Sequence, residues 1–264
     1  MNTASSRLSN FLQHKPTRLF LFLAGFFVTN AIIAEFIGVK IFSLEQTLGF
    51  DPFLLHLFGQ DLSFNLTAGV LLWPVVFVMT DVINEYFGQK GVRLLSYMTV
   101  LLISYAFVMV YLAIGLVPAE FWITVNDAQG IADMNTAFKG VFGQGLWIIV
   151  GSLVAFLVGQ IVDVLVFHRI KKMTGEGKIW LRATGSTLIS QFIDSYIVLL
   201  IAFYIGAGWD LVLVLAIGLV NYIYKFTMAV VLTPVIYLVH HLIDHYYLGE
   251  ESANQLKKAA MNKD

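Results

Sequence analysis

Long apolar runs separated by short polar stretches dominate the pattern of this chain. A helix needs about 20 mostly apolar residues to cross the hydrocarbon core of a bilayer. Runs such as LVLVLAIGLV (211–220) lack the two-residue alternation of membrane β-strands. The pattern therefore predicts an all-α polytopic membrane protein, with one domain of six transmembrane helices (1–248) and a polar cytoplasmic tail (249–264). The predicted spans are residues 19–39, 66–87, 93–117, 141–167, 183–206 and 211–243.

The composition changes this picture little and excludes several other classes of protein. Hydrophobic residues make up 58% of the 264 residues and charged residues only 12%, whereas a water-soluble domain carries about a quarter. The net charge of -1 argues against a nucleic-acid partner. Since the chain has no cysteine, it has no disulfide framework and no thiolate metal site. The expected surroundings are a lipid bilayer.

The distribution of Lys and Arg predicts the orientation, because cytoplasmic loops carry an excess of both. Cytoplasmic termini would leave only Lys40 and Lys139 on the outer side, apart from Lys225 within a span. The stretch 168–182 is then a short basic inner loop, and FDPFLLHLFG (50–59) in the first outer loop is a candidate interfacial helix. The bases on the inner side would be Arg7, Lys15, Arg18, Lys90, Arg93, Arg169, Lys171, Lys172, Lys178, Arg182, Lys257, Lys258 and Lys263.

The N-terminal segment allows a second interpretation. A basic start followed by LFLFLAGFFV (19–28) resembles a signal peptide. The apolar character continues through FIGV (36–39), however, so we expect the first span to be retained.

Polar residues inside the spans are the candidate functional residues. A charged side chain at the bilayer centre costs at least about 2.5–3.5 kcal/mol, and such residues usually face the bundle interior. Helical spacing places them in stripes on four spans. These predicted substrate-binding residues are Asp81, Asn84 and Glu85 on the second span, Gln160 and Asp163 on the fourth, Gln191 and Asp194 on the fifth, and Asn221 and Lys225 on the sixth.

The balance of embedded charge predicts a hydrated cavity. Lys225 is the one base inside a predicted span, and it could pair with Asp194, Glu85 or Asp81. It cannot neutralise all the embedded acids, so some must meet water, a proton or a ligand. For Asn30, Asn84 and Gln160, hydrogen bonding between helices is an equally good explanation. The embedded acids are Glu35, Asp81, Glu85, Asp163 and Asp194.

Several other features have structural explanations. The small residues Gly151, Ala155 and Gly159 share one helix face and predict close helix packing. Pro74 and Pro234 lie inside predicted spans and predict kinks. The tail from residue 249 is polar and is predicted to be mobile.

The motif HHLIDH (240–245) raises a different function. His241 and His245 are four residues apart and could bind a metal with Asp244, as in an intramembrane metalloenzyme. The sequence has no HExxH motif and no further histidine cluster to complete such a site. We therefore expect no metal, no cofactor and no enzymatic activity.

Four sequence blocks carry a family resemblance. TDVINEYFG (80–88), GQIVD (159–163), KIWLRATGSTLISQFIDS (178–195) and NYIYKFTMAVVLTPVIY (221–237) are similar to the queuosine precursor transporters, formerly called vitamin uptake transporters. The resemblance implies a six-helix carrier in a bacterial inner membrane. Such a carrier could work as a monomer or as a homo-oligomer. Its substrate would be the small molecule 7-cyano-7-deazaguanine, or the 7-aminomethyl form, imported for queuosine synthesis in tRNA.

The predicted polar stripes are compatible with such a base. A deazaguanine presents two adjacent donors that one carboxylate can accept, and a carbonyl oxygen that needs a donor. The candidates for the donor edge of the base are Glu85, Asp163 and Asp194. The candidates for its acceptor positions are Asn84, Gln160, Gln191 and Lys225. Two alternatives remain open: the substrate-binding subunit of an energised vitamin or nucleobase importer, and the metalloenzyme. Proton coupling and facilitated diffusion fit a carrier equally well.

Overall fold

Long apolar helices dominate the computed structural model, which describes residues 13–143, 145–175 and 178–262. The all-α prediction is confirmed. Arg7 and Lys263, two of the bases used to predict the orientation, lie outside the described residues. Within the described ranges, five helical segments are long and apolar enough to cross a membrane: Lys15–Ile37, Ala68–Ile114, Met134–Thr174, Trp180–Ile205 and Leu211–Leu248.

These segments are built from helices that we number in chain order. Turns of π-helix at Leu200–Ile205 and Leu242–Leu248 extend the seventh and ninth helices, and a 3-10 turn at Ala68–Leu71 precedes the third. The helices are α1 (Lys15–Ile37), α2 (Leu44–Thr47), α3 (Trp73–Ile114), α4 (Glu120–Ile123), α5 (Met134–Phe142), α6 (Leu146–Thr174), α7 (Ile179–Leu199), α8 (Leu211–Val231), α9 (Thr233–His241) and α10 (Glu250–Asn262).

Helix α3 folds back on itself at Gly88. That residue has φ 70° and ψ -175°, a conformation open to glycine and strained for other residues. Before the break, Gly69 lies against Ala34 near the end of α1. At the break, the Phe87 ring contacts Phe20 near the start of α1, with centroids 5.0 Å apart.

After the break, α3 follows α1 in the opposite sense. Phe107 contacts Phe36, at the far end of α1, with ring centroids 5.4 Å apart. The two limbs of α3 therefore run antiparallel along the same neighbour. With the 3-10 turn at Ala68–Leu71 included in the first limb, each limb has roughly the length that a single crossing requires.

Small residues allow the central helices to approach closely, as the sequence predicts. A Cβ added at Gly151 of α6 would lie 3.1 Å from the Val198 carbonyl oxygen of α7. A Cβ at Gly159 would lie 3.4 Å from Cβ of Asp194. The predicted packing role of this stripe is confirmed, and the functional side chains of α6 and α7 are thereby brought together.

The segment between α1 and α3, predicted to be the first outer loop, contains two pairs of short antiparallel strands rather than an interfacial helix. Strand β1 (Ile41–Ser43) pairs with β4 (Asn65–Thr67), and β2 (Leu55–Leu57) pairs with β3 (Gln60–Leu62), both antiparallel. The predicted helix at 50–59 is wrong because Phe58 and Gly59 adopt positive φ angles of 53° and 79°. Such a two-residue turn reverses the chain between paired strands.

Glu45 stabilises this loop by hydrogen bonds. Its carboxylate accepts hydrogen bonds from the Phe64 backbone N–H at 2.8 Å and from the Ser43 hydroxyl at 3.1 Å. Desolvation by burial opposes ionisation, yet these bonds outweigh it and lower the pKa of Glu45.

The two prolines that were predicted to kink spans, Pro74 and Pro234, each lie at the start of a helix. Pro74 occupies the first turn of α3, where its missing N–H costs nothing, and the helical path is interrupted at Leu72 between the 3-10 turn and α3, as predicted. Pro234 occupies the first turn of α9, and the helical path is interrupted at Leu232 between α8 and α9. This interruption agrees with the prediction.

The C-terminal tail is a docked helix, so the prediction of a mobile tail is also wrong. Helix α10 buries Ala253 and Lys257 against the rest of the protein. The Lys257 ammonium lies 2.6 Å from Oδ2 of Asp244 and 5.0 Å from the ring centroid of Tyr86. An apolar face and one buried ion pair therefore hold the helix in place, which its overall polarity conceals.

Candidate functional site

A cavity of about 450 Å³, partly open to its surroundings, lies among α3, α7, α8 and α9. This volume counts all the space between the lining atoms, including space open to the surroundings, and the lining is mostly apolar with a few polar groups, as is usual for small-molecule sites. We call it the main cavity. Its lining residues are Val70, Trp73, Pro74, Phe77, Val78, Asp81, Ala183, Thr184, Thr187, Gln191, Lys225, Ala229, Leu232 and Ile236.

Helical periodicity explains why these residues line one space. On α3, Pro74, Phe77, Val78 and Asp81 are spaced at i, i+3, i+4 and i+7 and share a face. On α7, the residues at 184, 187 and 191 follow the same rule. Each helix therefore contributes one stripe that is apolar over most of its length and carries a polar group.

Asp81 is the carboxylate that lines the main cavity. Only 2% of the residue is exposed, and its Oδ1 has no hydrogen-bond partner. The Thr187 hydroxyl hydrogen-bonds to this side chain, and Asp163 is close enough for the two carboxylates to repel each other. An ionised carboxylate in such surroundings leaves an acceptor unsatisfied.

Asp163 belongs to α6 and lies near Asp81 of α3, but it does not itself line the main cavity. It is fully buried and accepts a hydrogen bond from the Ser190 hydroxyl at 3.0 Å. The hydroxyls of Ser186 and Thr187 also interact with this carboxyl group, and among the residues that the structure describes its Oδ2 has no hydrogen-bond partner. We call Asp81 and Asp163 the acid pair.

Gln191 supplies an unsatisfied donor to the same cavity. The residue is 3% exposed, and its Nε2 has no hydrogen-bond partner. Lys225 also lines the cavity, and its ammonium pairs with Oδ2 of Asp194 at 2.5 Å. Of the three acids weighed as partners for Lys225 from the sequence, the structure selects Asp194.

Glu85 has a different environment from Asp81, although it follows by one turn on α3. Its Oε1 lies 2.8 Å from the Arg182 guanidinium and its Oε2 lies 3.1 Å from the Lys171 ammonium. All three side chains are at most 1% exposed. We call these residues the ion-paired cluster, which lies outside the lining of the main cavity.

This cluster corrects the sequence-based interpretation of the basic residues. Lys171 and Arg182 were assigned to a solvated inner loop at 168–182, but Lys171 lies within α6 and Arg182 within α7. Lys225 is therefore not the only base buried among the acids. The positive-inside rule counts bases near helix ends without showing whether they turn inward.

The remaining predicted site residues make other contacts and do not line the main cavity. Asn84 Oδ1 lies 2.7 Å from Nε2 of His168, and Gln160 Oε1 accepts a hydrogen bond from the Thr80 hydroxyl at 3.1 Å. Asn221 donates to the Ile217 carbonyl oxygen of its own helix at 3.1 Å. The first two contacts join different helices.

The histidine motif at 240–245 belongs to a hydrogen-bonded network. The Tyr86 hydroxyl donates to Oδ1 of Asp244 at 2.7 Å and lies 3.0 Å from Nδ1 of His240. Since Lys257 pairs with the other oxygen of Asp244, both carboxylate oxygens are engaged. Among the residues that the structure describes, no group of three or more potential metal ligands occurs.

Of the cavity residues that the sequence analysis missed, four have aromatic or hydroxyl side chains: Trp73, Phe77, Thr184 and Thr187. Each shares a helical stripe with a predicted residue, Asp81 on α3 or Gln191 on α7. Extending each stripe by one and two turns would have found them. They were passed over because hydroxyl and aromatic side chains are common in membrane helices.

The chain belongs to a family of membrane transporters: residues 67–239 match the family described as "Putative vitamin uptake transporter". This match confirms the resemblance inferred from the four sequence blocks. No solved structure matches the chain.

Individual relatives agree with this family. A "Probable queuosine precursor transporter" of Bacillus subtilis is 30% identical over 189 residues, covering 68% of this chain and 75% of the relative. The "Queuosine precursor transporter" of Escherichia coli is 27% identical over 188 residues, covering 68% and 74%. A Haemophilus influenzae protein with the same name as the Bacillus relative is 26% identical over 183 residues, covering 66% and 68%.

Proposed function

We propose that this protein carries a queuosine precursor across a bacterial inner membrane into the cytoplasm. The substrate that we favour is 7-cyano-7-deazaguanine, and its 7-aminomethyl form is the second candidate. The family and the names of three relatives support a transporter of this class. The reaction is translocation of a neutral base, and no covalent bond is made or broken.

We further propose six crossings with both termini in the cytoplasm. The fold-back of α3 at Gly88 supports this count, because it divides the 47-residue apolar segment Ala68–Ile114 into two antiparallel limbs. Lys90 and Arg93 follow the fold-back, where the positive-inside rule favours the cytoplasm.

One observation carries the proposal: two residues that line the main cavity each have a polar atom without a partner among the described residues, an acceptor on Asp81 and a donor on Gln191. We assign the donor edge of the base to Asp81, whose carboxylate can accept the ring N–H and the exocyclic amine together. We assign the carbonyl oxygen of the base to Gln191 Nε2. Trp73 and Phe77 would then contact the flat ring.

Other predicted residues take supporting roles in this proposal. Asp163 lies behind Asp81, Lys225 lies at the cavity wall with Asp194 as its partner, and Glu85 is held by two bases. Asp81 therefore replaces the acids that the sequence favoured for the donor edge.

The test is exchange of radiolabelled 7-cyano-7-deazaguanine by purified protein in liposomes, with no other protein and no ATP. We expect wild-type protein to exchange the base, and Asp81→Asn to weaken its apparent affinity by roughly 5- to 150-fold, the equivalent of about 1–3 kcal/mol. Gln191→Leu should show a loss in the same range. Thr227→Val is the control, because Thr227 is exposed and bonds only to the Ile223 carbonyl of its own helix.

Two results would contradict the proposal. Failure of wild-type protein to exchange either form of the base would remove the substrate, and a strict need for a partner ATPase would favour the energised importer. Normal affinity in both cavity variants would remove the site assignment while leaving the carrier intact.

A further inference from the structure

We propose that the acid pair holds one proton and that this proton enters the cell with each base, making the protein a proton symporter. This inference rests on the proposed function. It assigns a coupling site to Asp163, a residue that does not line the main cavity.

The geometry of the acid pair indicates a missing proton position. Asp81 and Asp163 come from different helices, and both have an interaction with the hydroxyl of Thr187 on α7. The two residues are 2% and 0% exposed. Oδ1 of Asp81 and Oδ2 of Asp163 have no hydrogen-bond partner, although neither atom is in contact with solvent. A proton on either carboxyl would turn one of these two unpartnered acceptors into a donor.

The charges around the acid pair do not neutralise it. Glu85 faces Asp81 as a third acid, and Arg182 is the base that acts on Asp81. Arg182, however, is bonded to Glu85 and to the carbonyl oxygen of Gly175, and Lys171 also pairs with Glu85.

The other base near the cavity is also engaged. Lys225 pairs with Asp194, whereas Lys171 and Arg182 share one acid, Glu85. Two like charges held close together in a site of low dielectric cannot both ionise readily, and one shared proton relieves the repulsion.

Loading of one proton would favour binding of the base. When Asp163 carries the proton, Asp81 remains ionised and can accept both donors of the base. A second proton would convert Asp81 into a donor and weaken binding, whereas loss of the first would restore the repulsion within the pair. Since binding of one ligand then strengthens binding of the other, proton and base must favour each other equally.

The balance of the transport cycle follows directly. One proton leaves the outer water, occupies the acid pair while the base is bound, and is released to the cytoplasm with the base. No bond within the base changes, and one positive charge crosses the membrane in each cycle. Uptake should therefore respond both to a pH difference and to a membrane potential.

The experiment separates coupling from carriage in liposomes containing the purified protein. Exchange of labelled base at equal pH reports carriage alone, whereas accumulation against a gradient reports coupling. With one proton per base, an inward gradient of one pH unit should raise the accumulation ratio up to about tenfold. An inside-negative potassium diffusion potential should raise it as well.

Asp163→Asn mimics permanent protonation of its carboxyl. We expect this variant to retain exchange but to lose the response to both gradients. Glu35→Gln is the matched control, because Glu35 is another buried acid, which lies on α1 outside the lining of the main cavity and accepts a hydrogen bond from Ser152 of α6 at 3.0 Å. It should retain exchange and accumulation.

A measurement on wild-type protein keeps the inference testable if Asp163→Asn fails to fold. Addition of base outside liposomes that contain a pH-sensitive dye should acidify the lumen by one proton per base. Base entry without acidification would overturn symport, as would accumulation driven by sodium alone or loss of coupling in Glu35→Gln rather than Asp163→Asn. Absence of any base exchange would instead overturn the proposed function, and symport with it.

Discussion

Asp81 and Glu85 lie one helical turn apart on α3, and both are almost fully buried. Glu85 has two basic partners within 3.1 Å, whereas Asp81 faces a cavity and a second carboxylate. Burial of a charge is costly unless it is paired and hydrogen-bonded. The ion-paired cluster supplies the counter-charge of Glu85 within the protein, whereas in our proposal a proton or a ligand stabilises the acid pair. Similar residues in one helix thus have opposite environments, one neutralised by bases and one beside a cavity and another acid.

The largest effect should come from Glu85→Ala. This change leaves Lys171 and Arg182 buried without their shared counter-charge, which typically costs about 3–5 kcal/mol of folding stability. Thermal unfolding in detergent, followed by tryptophan fluorescence, should show a clearly lower midpoint. Lys172→Ala, at an exposed neighbouring position, is the control. A wild-type midpoint in Glu85→Ala would show that the cluster does not stabilise the bundle.

The acid pair should respond in the opposite direction. Asp81→Leu removes an uncompensated buried carboxylate, so we expect unchanged or higher stability, by up to about 2 kcal/mol, together with loss of base exchange. The same unfolding assay and the exchange assay measure the two effects. Destabilisation as large as that in Glu85→Ala would abolish the distinction between the two groups of residues.

The smallest effect should come from Glu45, an acid outside the membrane-spanning helices that is satisfied by hydrogen bonds alone. Because its pKa is lowered in the folded protein, its stabilisation is present above the unfolded pKa and is lost as pH falls through the folded pKa. Hydrogen exchange of the Phe64 amide, corrected for its intrinsic pH dependence, should therefore accelerate in acid.

The variant Glu45→Gln tests whether Glu45 causes this pH dependence of exchange. Glu45→Gln should accelerate exchange of the Phe64 amide by roughly tenfold at neutral pH, the equivalent of one hydrogen bond to a charged group. The acid-dependent step should then disappear. Asp51→Asn, at an exposed position of the same loop, should retain it. Persistence of the step in Glu45→Gln would assign it to another group.

Much of the fold could be predicted from local sequence. Apolar runs of sufficient length must form helices in a bilayer, because hydrocarbon offers no other partner for the backbone. Gly151 and Gly159 indicated a close helix contact for a similar reason, since only small residues permit it. The strand pairs at 41–67 and the docked helix α10 were missed. Both depend on contacts between segments whose own composition does not indicate a partner.

Prediction of the candidate site was limited by the same physics. The acid and amide stripes were visible, and the cavity does contain Asp81, Gln191 and Lys225. Spacing along one helix could not show that Asp81 would face open space while Glu85 met two bases. Those bases lie 86 and 97 positions further along the chain, and only the packing of the helices brings their buried side chains to Glu85.

The sequence by itself determined that this is a helical membrane protein with embedded acids, because hydropathy and the cost of burying charge act on residues wherever they lie. Its sequence blocks also identified the transporter family. Only the tertiary structure decided which acid has a counter-charge, which has a cavity and which has another acid beside it. Neutralisation requires atoms within a few ångströms, and that proximity arises between helices distant in the chain.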